Sequence, residues 1–468
     1  MSGIAGIVAL DGAPMDAALL DRMAGFLASR GPDGVAARSI GSAGFAHSLL
    51  RTGDAGEDVP QPVSVDGRTW IVADARIDGR AELVRALRAG GIDASADAPA
   101  AELILHALRV WGDEAPAHLL GDFAFAAWDG ERRRLFCARD LFGIKPFYYA
   151  SAGGAFVFSN SLDCVRLHPA VSGDLDEGWI ADFLLHGDSQ SVDATVYAAI
   201  RHLAPGHRLV VEEGRMEICR FASLPEEAEP LRLRGPAEYA EAFLEVLREA
   251  VADRLPRERA GILLSGGRDS TALAATWRDL VGRGVRGTEL RGYTAYHARL
   301  MPDDEPVFAS MAAEALGIPL RLLAVDDYTA FGRWETPELY RPQPSSSPLL
   351  AIDADQLRQA AEHSRVLLTG QGADPLLRET PLVHARRLNE LSAQAQLAEL
   401  DMAPLAGAQS LALIISNPLI GRSIEASGGY DLATVATGLW ALPGGITDPG
   451  DADATATGAA DTSTSLVK

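Results

Sequence analysis

Residues Gly261-Ile262-Leu263-Leu264-Ser265-Gly266-Gly267-Arg268-Asp269-Ser270-Thr271 decide how the chain is read. The apolar run from Gly261 to Leu264 predicts a buried strand. It breaks at Ser-Gly-Gly, and Thr271 to Leu280 predicts a helix. A strand, a glycine loop and a helix start together make an anion site. Glycine lets the backbone approach closely, and the first N–H groups of a helix have no partner within it. The loop is not a Walker A sequence, because Gly-Lys-Ser/Thr is missing. The plain alternative is an ordinary strand–turn–helix junction.

The rest of the chain bounds what that loop can serve. Its 468 residues suggest two or three domains. The net charge of −22 argues against nucleic acid or an anionic membrane as partner, while leaving room for a local basic site. Nearly all the basic residues are Arg; Lys145 and Lys468 are the exceptions. Cys137, Cys164 and Cys219 are far apart and show no metal spacing, which reads as a reduced, cytoplasmic protein with core thiols. The first residues lack a basic n-region, and Asp11 interrupts the apolar run, so no signal peptide is expected. No apolar run is long enough to span a membrane.

Short, turn-separated apolar runs fill the first half: Ile4 to Leu10, Gly44 to Leu50, Thr69 to Ala73, Gly121 to Asp129, Leu135 to Arg139 and Phe156 to Ser159. Helical spacing appears over Met15 to Ser29, Ala81 to Ala89 and Ala100 to Trp111. The pattern predicts antiparallel sheets with helices outside. Beyond the linker-like stretch, strands at 292–296 and 320–325 alternate with helices, which predicts a doubly wound parallel sheet.

Five motifs occur in order: Met-x-Gly-Ile-Ala-Gly at 1–6, Arg-Gly-Pro-Asp-Gly at 30–34, Gly-Asp-Phe-Ala-Phe at 121–125, Ala-Arg-Asp-x-x-Gly-Ile-Lys-Pro-Phe-Tyr-Tyr at 138–149, and Ser-Gly-Gly-x-Asp-Ser at 265–270. Together they resemble the asparagine synthetase family over roughly residues 1–385. The last motif is similar to the pyrophosphate loop of N-type ATP pyrophosphatases. The resemblance implies an α+β N-terminal Ntn-hydrolase-like αββα sandwich followed by an α/β doubly wound parallel-sheet ATP-pyrophosphatase domain. The expected divisions are a glutamine amidotransferase type 2-like domain at 1–220, a linker at 221–236, an asparagine synthetase-like ATP-binding domain at 237–400, and an atypical tail at 401–468. The tail, rich in Ala, Thr, Gly and Asp, reads as truncated and partly disordered.

The same resemblance implies that the glutaminase chemistry is lost. The family's nucleophile is a Cys directly after the initiator Met; here the position is Ser2. A thiol ionises partly near neutral pH and a hydroxyl does not. An N-terminal serine can still act as an Ntn nucleophile, so Ser2 alone leaves both readings open. The family's Asn-Gly oxyanion pair falls at Asp74-Ala75, where a carboxylate would repel an oxyanion. Its substrate-holding Arg falls at Leu49, with Arg51 close by, and its amine-gripping Asp at Ala100 or Ala101. This half then reads as a packing and docking domain.

Val366-Leu367-Leu368-Thr369-Gly370-Gln371-Gly372-Ala373-Asp374 is again a strand running into a glycine loop. By resemblance, ATP is contacted by Leu264, Ser265, Gly266, Gly267, Asp269, Ser270, Ala295, Thr369 and Gly370. Asp269 and Asp374 face the same phosphates, which requires a bridging hard cation and so implies Mg²⁺. Asp269, Asp374 and Gln371 are the candidate catalytic positions. Gln371 stands where the family has Glu, and Pro375-Leu376 where it has Glu-Leu. Those departures resemble the cyclases that close lasso peptides, which adenylate an Asp or Glu side chain and let the peptide's own amine attack. No lysine lies between Lys145 and Lys468, although the family uses one late in the synthetase domain.

The leading expectation is an ATP- and Mg²⁺-dependent amide ligase acting through an acyl-adenylate, with lasso macrolactam closure as the first choice. Its substrate is then a small-molecule or precursor-peptide carboxylate, with a leader-binding protein and a peptidase as partners. Asparagine synthesis or a β-lactam-synthetase-like reaction is the runner-up. A non-catalytic nucleotide- or peptide-binding homologue is the rival from another class.

Overall fold

The computed structural model describes residues 1–52, 59–224, 231–256, 258–285 and 287–373. Met1–Gly370 form one compact unit, and Gln371–Lys468 belong to a second.

Two antiparallel sheets dominate the first half. One contains β1 (Gly3–Ala9), β2 (Gly34–Ile40), β3 (Ala43–Leu49), β7 (Tyr148–Ala152), β8 (Ala155–Ser159) and β9 (Arg201–His202), in the order β2-β3-β1-β8-β7-β9. The other contains β4 (Thr69–Ile77), β5 (Gly121–Asp129), β6 (Arg134–Arg139), β10 (His207–Glu212) and β11 (Arg215–Arg220), in the order β11-β10-β6-β5-β4. Alternation along the strands sends one face of each sheet inward. Ile4, Phe45 and Phe158 of the first sheet meet Val72, Ala126 and Leu209 of the second in one buried cluster. The outer faces are covered by helices. α1 (Ala17–Leu27) buries Leu19, Leu20, Met23 and Leu27 against β1 and β3. α2 (Arg80–Ala89) and α3 (Ala100–Trp111) bury Leu83, Leu87, Leu103 and Ile104 against β4 and β5. The layers are therefore α, β, β, α, the Ntn-hydrolase-like sandwich.

The helix Met15–Ser29 of the sequence reading is α1, shortened because the Asp16 side chain caps its start by accepting from the Leu19 N–H at 3.0 Å. β2, β10 and β11 were not legible. β2 lies at a sheet edge and is largely exposed, so its sequence lacks an apolar alternation. α4 (Leu162–Val165) and α5 (Glu177–His186) complete this half.

α6 (Pro236–Arg254) leads into the second sheet system, which is parallel throughout. Its strands are β12 (Arg259–Leu263), β13 (Glu289–Tyr296), β14 (Leu320–Ala324) and β15 (Leu367–Leu368), ordered β14-β13-β12-β15. α7 (Arg268–Gly282), α8 (Glu305–Leu316) and α9 (Leu350–Ala361) fill the connections. The chain builds outward from β12 through β13 to β14, then returns to β12's other side with β15. The order reverses between β12 and β15, and that reversal is where ligands bind in doubly wound sheets. Among the described residues, no helix is long and apolar enough to cross a membrane.

Candidate active site

The loop after β12 is held by hydrogen bonds to β13 and by others within the loop itself. The Leu264 N–H donates to the Tyr293 carbonyl at 2.9 Å, and the Thr294 hydroxyl donates to the Leu264 carbonyl. Leu264 is buried under the sheet's carboxyl edge. Ser265 N–H donates to Ser270 Oγ at 3.3 Å, the two hydroxyls lie 3.1 Å apart, and Gly267 N–H donates to Ser265 Oγ at 3.3 Å. These contacts curl the backbone over the start of α7. Gly266 has φ +75°, and a Cβ there would lie 2.3 Å from the Phe308 carbonyl carbon, so α8 and backbone geometry both demand glycine. α7 begins with Gly267 as its cap and no side-chain cap hydrogen bond. It starts three residues before the predicted Thr271, so Asp269 and Ser270 lie in its first turn.

The structure brings the second predicted loop to the same place. A Cβ on Gly370 would lie 3.1 Å from the Ser270 nitrogen and 3.2 Å from the Asp269 Cβ. Thr369 and Gly370 therefore follow β15 onto the helix start at the β12/β15 reversal. Ala295 sits in the last part of β13, paired with Leu323, on the next strand over. Gln371 begins the second compact unit. Asp374, Pro375, Leu376 and the 401–468 tail lie outside the described residues. After β13, Asp304 is the cap and Glu305 the first residue of α8, and burial pushes the Glu305 carboxyl up.

The N-terminal half holds a second polar site. The Arg139-Asp140 motif builds it. Asp140 accepts from the N–H groups of Phe142, Ile144 and Lys145 at 3.1, 2.9 and 3.0 Å. Arg139 donates to the carbonyls of Lys145, Gly143 and Leu203 at 2.8, 2.6 and 2.7 Å. The loop so fixed delivers Lys145 Nζ to Asp74 Oδ1 at 3.0 Å. Asn160 Nδ2 donates both to Asp74 Oδ2 at 3.2 Å and to the Ser2 carbonyl at 2.7 Å. Ser2 Oγ accepts from the Leu50 N–H at 3.1 Å. His47 is buried beside this network; burial pulls its pKa down to about 4, against the opposing pull of Asp74. A cavity of roughly 370 Å³ opens here, lined by Ser2, Leu49, Asp74, Arg76 and Ala100 and closed on one side by Arg365 to Leu367. Sequence reasoning missed the Lys145–Asp74 pair and Arg365. A lone lysine in an otherwise Arg-based chain was the available signal for Lys145; Arg365 had none.

Residues 1–222 match the glutamine amidotransferase domain family, and residues 242–425 match the asparagine synthase family. Each half of the chain is thus similar to one of the two domain families. Asparagine synthetase 3 (glutamine-hydrolyzing) of Bacillus subtilis is 26% identical over 78% of this chain and 61% of its own length. Asparagine synthetase 2 of the same organism is 24% identical over 80% of this chain and 51% of its own. Amidase chry2 of Gibberella zeae is 28% identical over 58% of this chain and 42% of its own. The chain thus spans between two fifths and about three fifths of the length of these relatives.

Proposed function

We propose that the chain is an ATP-dependent carbon–nitrogen ligase that activates a carboxylate as its adenylate, with lasso peptide macrolactam closure as the preferred reaction. The observation that carries this reading is the meeting of Gly370 with Asp269 and Ser270 at the sheet's reversal point. The residues present suit a nucleotide. Gly266 lets the loop pass close to α8, Gly370 lets the second loop approach the start of α7, and that uncapped helix start offers backbone N–H groups to phosphate oxygens. Mg²⁺ carried with ATP would be held by one or two carboxylates. Asp269 supplies one in this reading, and Asp374 is assigned the other from sequence. Held there, Mg²⁺ would supply charge neutralisation for the pyrophosphate leaving group.

The chain's own residues then do three things. Ser265 to Ser270 hold the phosphates through the backbone. Thr369 and Gly370 fix the opposite side. Preorganised N–H groups stabilise charge that develops as the substrate carboxylate attacks the α-phosphate. An amine then displaces AMP. The amine of a precursor peptide would make ammonia supply unnecessary. Support for that comes from Ser2, Asp74 and Gln371 at positions where the family carries other groups, and from the engagement of both Asp74 oxygens by Lys145 and Asn160. A leader-binding protein and a peptidase are the partners this reading requires.

Asparagine synthesis is the second reading, favoured by the names of the Bacillus relatives. Pyrophosphate release from Mg·ATP separates the two. Release with a precursor peptide and its processing partners, and none with aspartate plus ammonia, is the expected result. Release with aspartate selects asparagine synthesis. ATP binding without release under either condition overturns both and selects a non-catalytic nucleotide-binding homologue.

A further inference from the structure

One contact ties the N-terminal half to the chain just before the wall of the nucleotide site. Arg365 Nη1 donates to the Asp33 carboxylate, and the same nitrogen donates to the Arg51 carbonyl at 3.2 Å. Asp33 lies in the Arg-Gly-Pro-Asp-Gly loop between α1 and β2, and that loop is firmly seated. The Asp33 N–H donates to the Leu49 carbonyl at 3.0 Å, and Asp33 Oδ2 accepts from the Arg51 N–H at 2.8 Å. A Cβ on Gly31 would lie 2.2 Å from the Ser48 carbonyl carbon, so glycine brings the loop flat against β3. Arg365 is therefore anchored to a fixed part of the other half. Little chain separates it from the site. The Val366 carbonyl accepts from the Gly261 N–H at 2.8 Å, Leu367 and Leu368 pair with Gly261 and Ile262, and Thr369 and Gly370 come next. A shift at Arg365 is passed through β15 to Gly370, which lies close against the start of α7.

We propose that Asp33 and Arg365 form a clamp through which the N-terminal half positions the second loop of the nucleotide site. The inference rests on the nucleotide site proposed above, and it gives the N-terminal half a part in that site that needs no glutaminase chemistry. Arg365 is a positioning residue: it acts through β15 and does not touch the nucleotide. The Arg365 and Asp33 side chains are 45% and 13% exposed, which sets a modest scale for the effect.

The test is calorimetric titration of Mg·ATP into the full chain, paired with hydrogen exchange of the same proteins without nucleotide. Arg365→Gln should weaken Mg·ATP about threefold to fivefold, the scale of a part-exposed ion pair. It should also speed exchange of the amides at 366–370 while β13 stays as protected as before. Asp33→Asn, which keeps an acceptor for the Arg51 N–H, should do the same. The double variant should be no weaker than either single one, since both remove the same contact. Arg365→Lys should restore both readouts, because both contacts leave from one nitrogen and a lysine amine can make them. Arg254→Gln breaks a different tie between the halves, from Arg254 to Asp78 at 2.8 Å and to Asp122 at 3.3 Å, and should leave Mg·ATP affinity unchanged. Unchanged affinity or exchange in Arg365→Gln, additive losses in the double variant, or an equal loss in Arg254→Gln overturns the clamp while the nucleotide site stands. Failure of the unmodified chain to bind Mg·ATP overturns the nucleotide site itself, and the clamp with it.

Discussion

The two polar sites of this chain use their hydrogen-bonding groups in opposite ways. In the N-terminal half, Asp74, Lys145, Asn160 and Ser2 bond to one another, and little is left for a reacting group. At the start of α7, the backbone bends over a helix whose first turn has no side-chain cap. A site whose polar groups satisfy each other contributes stability; a site that leaves donors pointing outward is ready for an anion. The difference separates a region that holds the chain together from the one to which the proposed chemistry is assigned.

Lys145→Met is the strongest way to break the comparison. It leaves Asp74 buried without its cation and should cost about 3–5 kcal/mol. Denaturant unfolding checks this, and adding Asp74→Asn should recover much of the loss. A small cost for Lys145→Met would mean that the network is not what stabilises this half.

Acid is the next probe. His47 is held at about 4 when folded, below the ordinary value near 6.5, so the unfolded chain takes up the proton first. Its contribution is therefore fully present above pH ~6.5 and is lost as pH falls toward ~4, on the order of 2–3 kcal/mol. His47→Gln should flatten the stability–pH curve across that window. A curve of unchanged slope would remove His47 from the account.

Gly266→Ala addresses the other site. Its φ of +75° and the 2.3 Å approach of the Phe308 carbonyl carbon predict a loss of about 1–3 kcal/mol and a sharp fall in ATP affinity. Retained affinity would show that the loop does not cradle phosphate. Arg365→Gln should have the smallest effect. It removes the contact to Asp33, but the arginine side chain is 45% exposed, so a loss under about 1 kcal/mol is expected by denaturant unfolding.

The legible parts of the sequence were those whose physics is local. Strand, Ser-Gly-Gly and helix lie within a few residues of one another, and the structure shows them as β12, loop and α7. The parallel sheet was legible from the alternation of strands and helices. The meeting of Gly370 with Ser270 was reached only through resemblance, because nothing local in either stretch specifies the other. The Asp74–Lys145 pair joins β4 to a loop 71 residues away, and pairings of that span leave no periodic trace. β2 was missed because an exposed edge strand carries no apolar alternation. Arg365 was missed because its partners, Asp33 and the Arg51 carbonyl, come from the opposite half of the sequence.

β15 contains only Leu367 and Leu368, paired with Gly261 and Ile262. A ladder of two rungs is a hinge as much as a strand. Further grip comes from beside it, through the Gly261 N–H and the Ser364 hydroxyl on the Val366 carbonyl, at 2.8 Å each. β12, β13 and β14 share long ladders and act as a fixed frame. The segment carrying Thr369 and Gly370 is thus held by fewer main-chain rungs than that frame. One wall of the proposed nucleotide site therefore hangs from two rungs on β12, where β13 on the other side is tied to β12 by five.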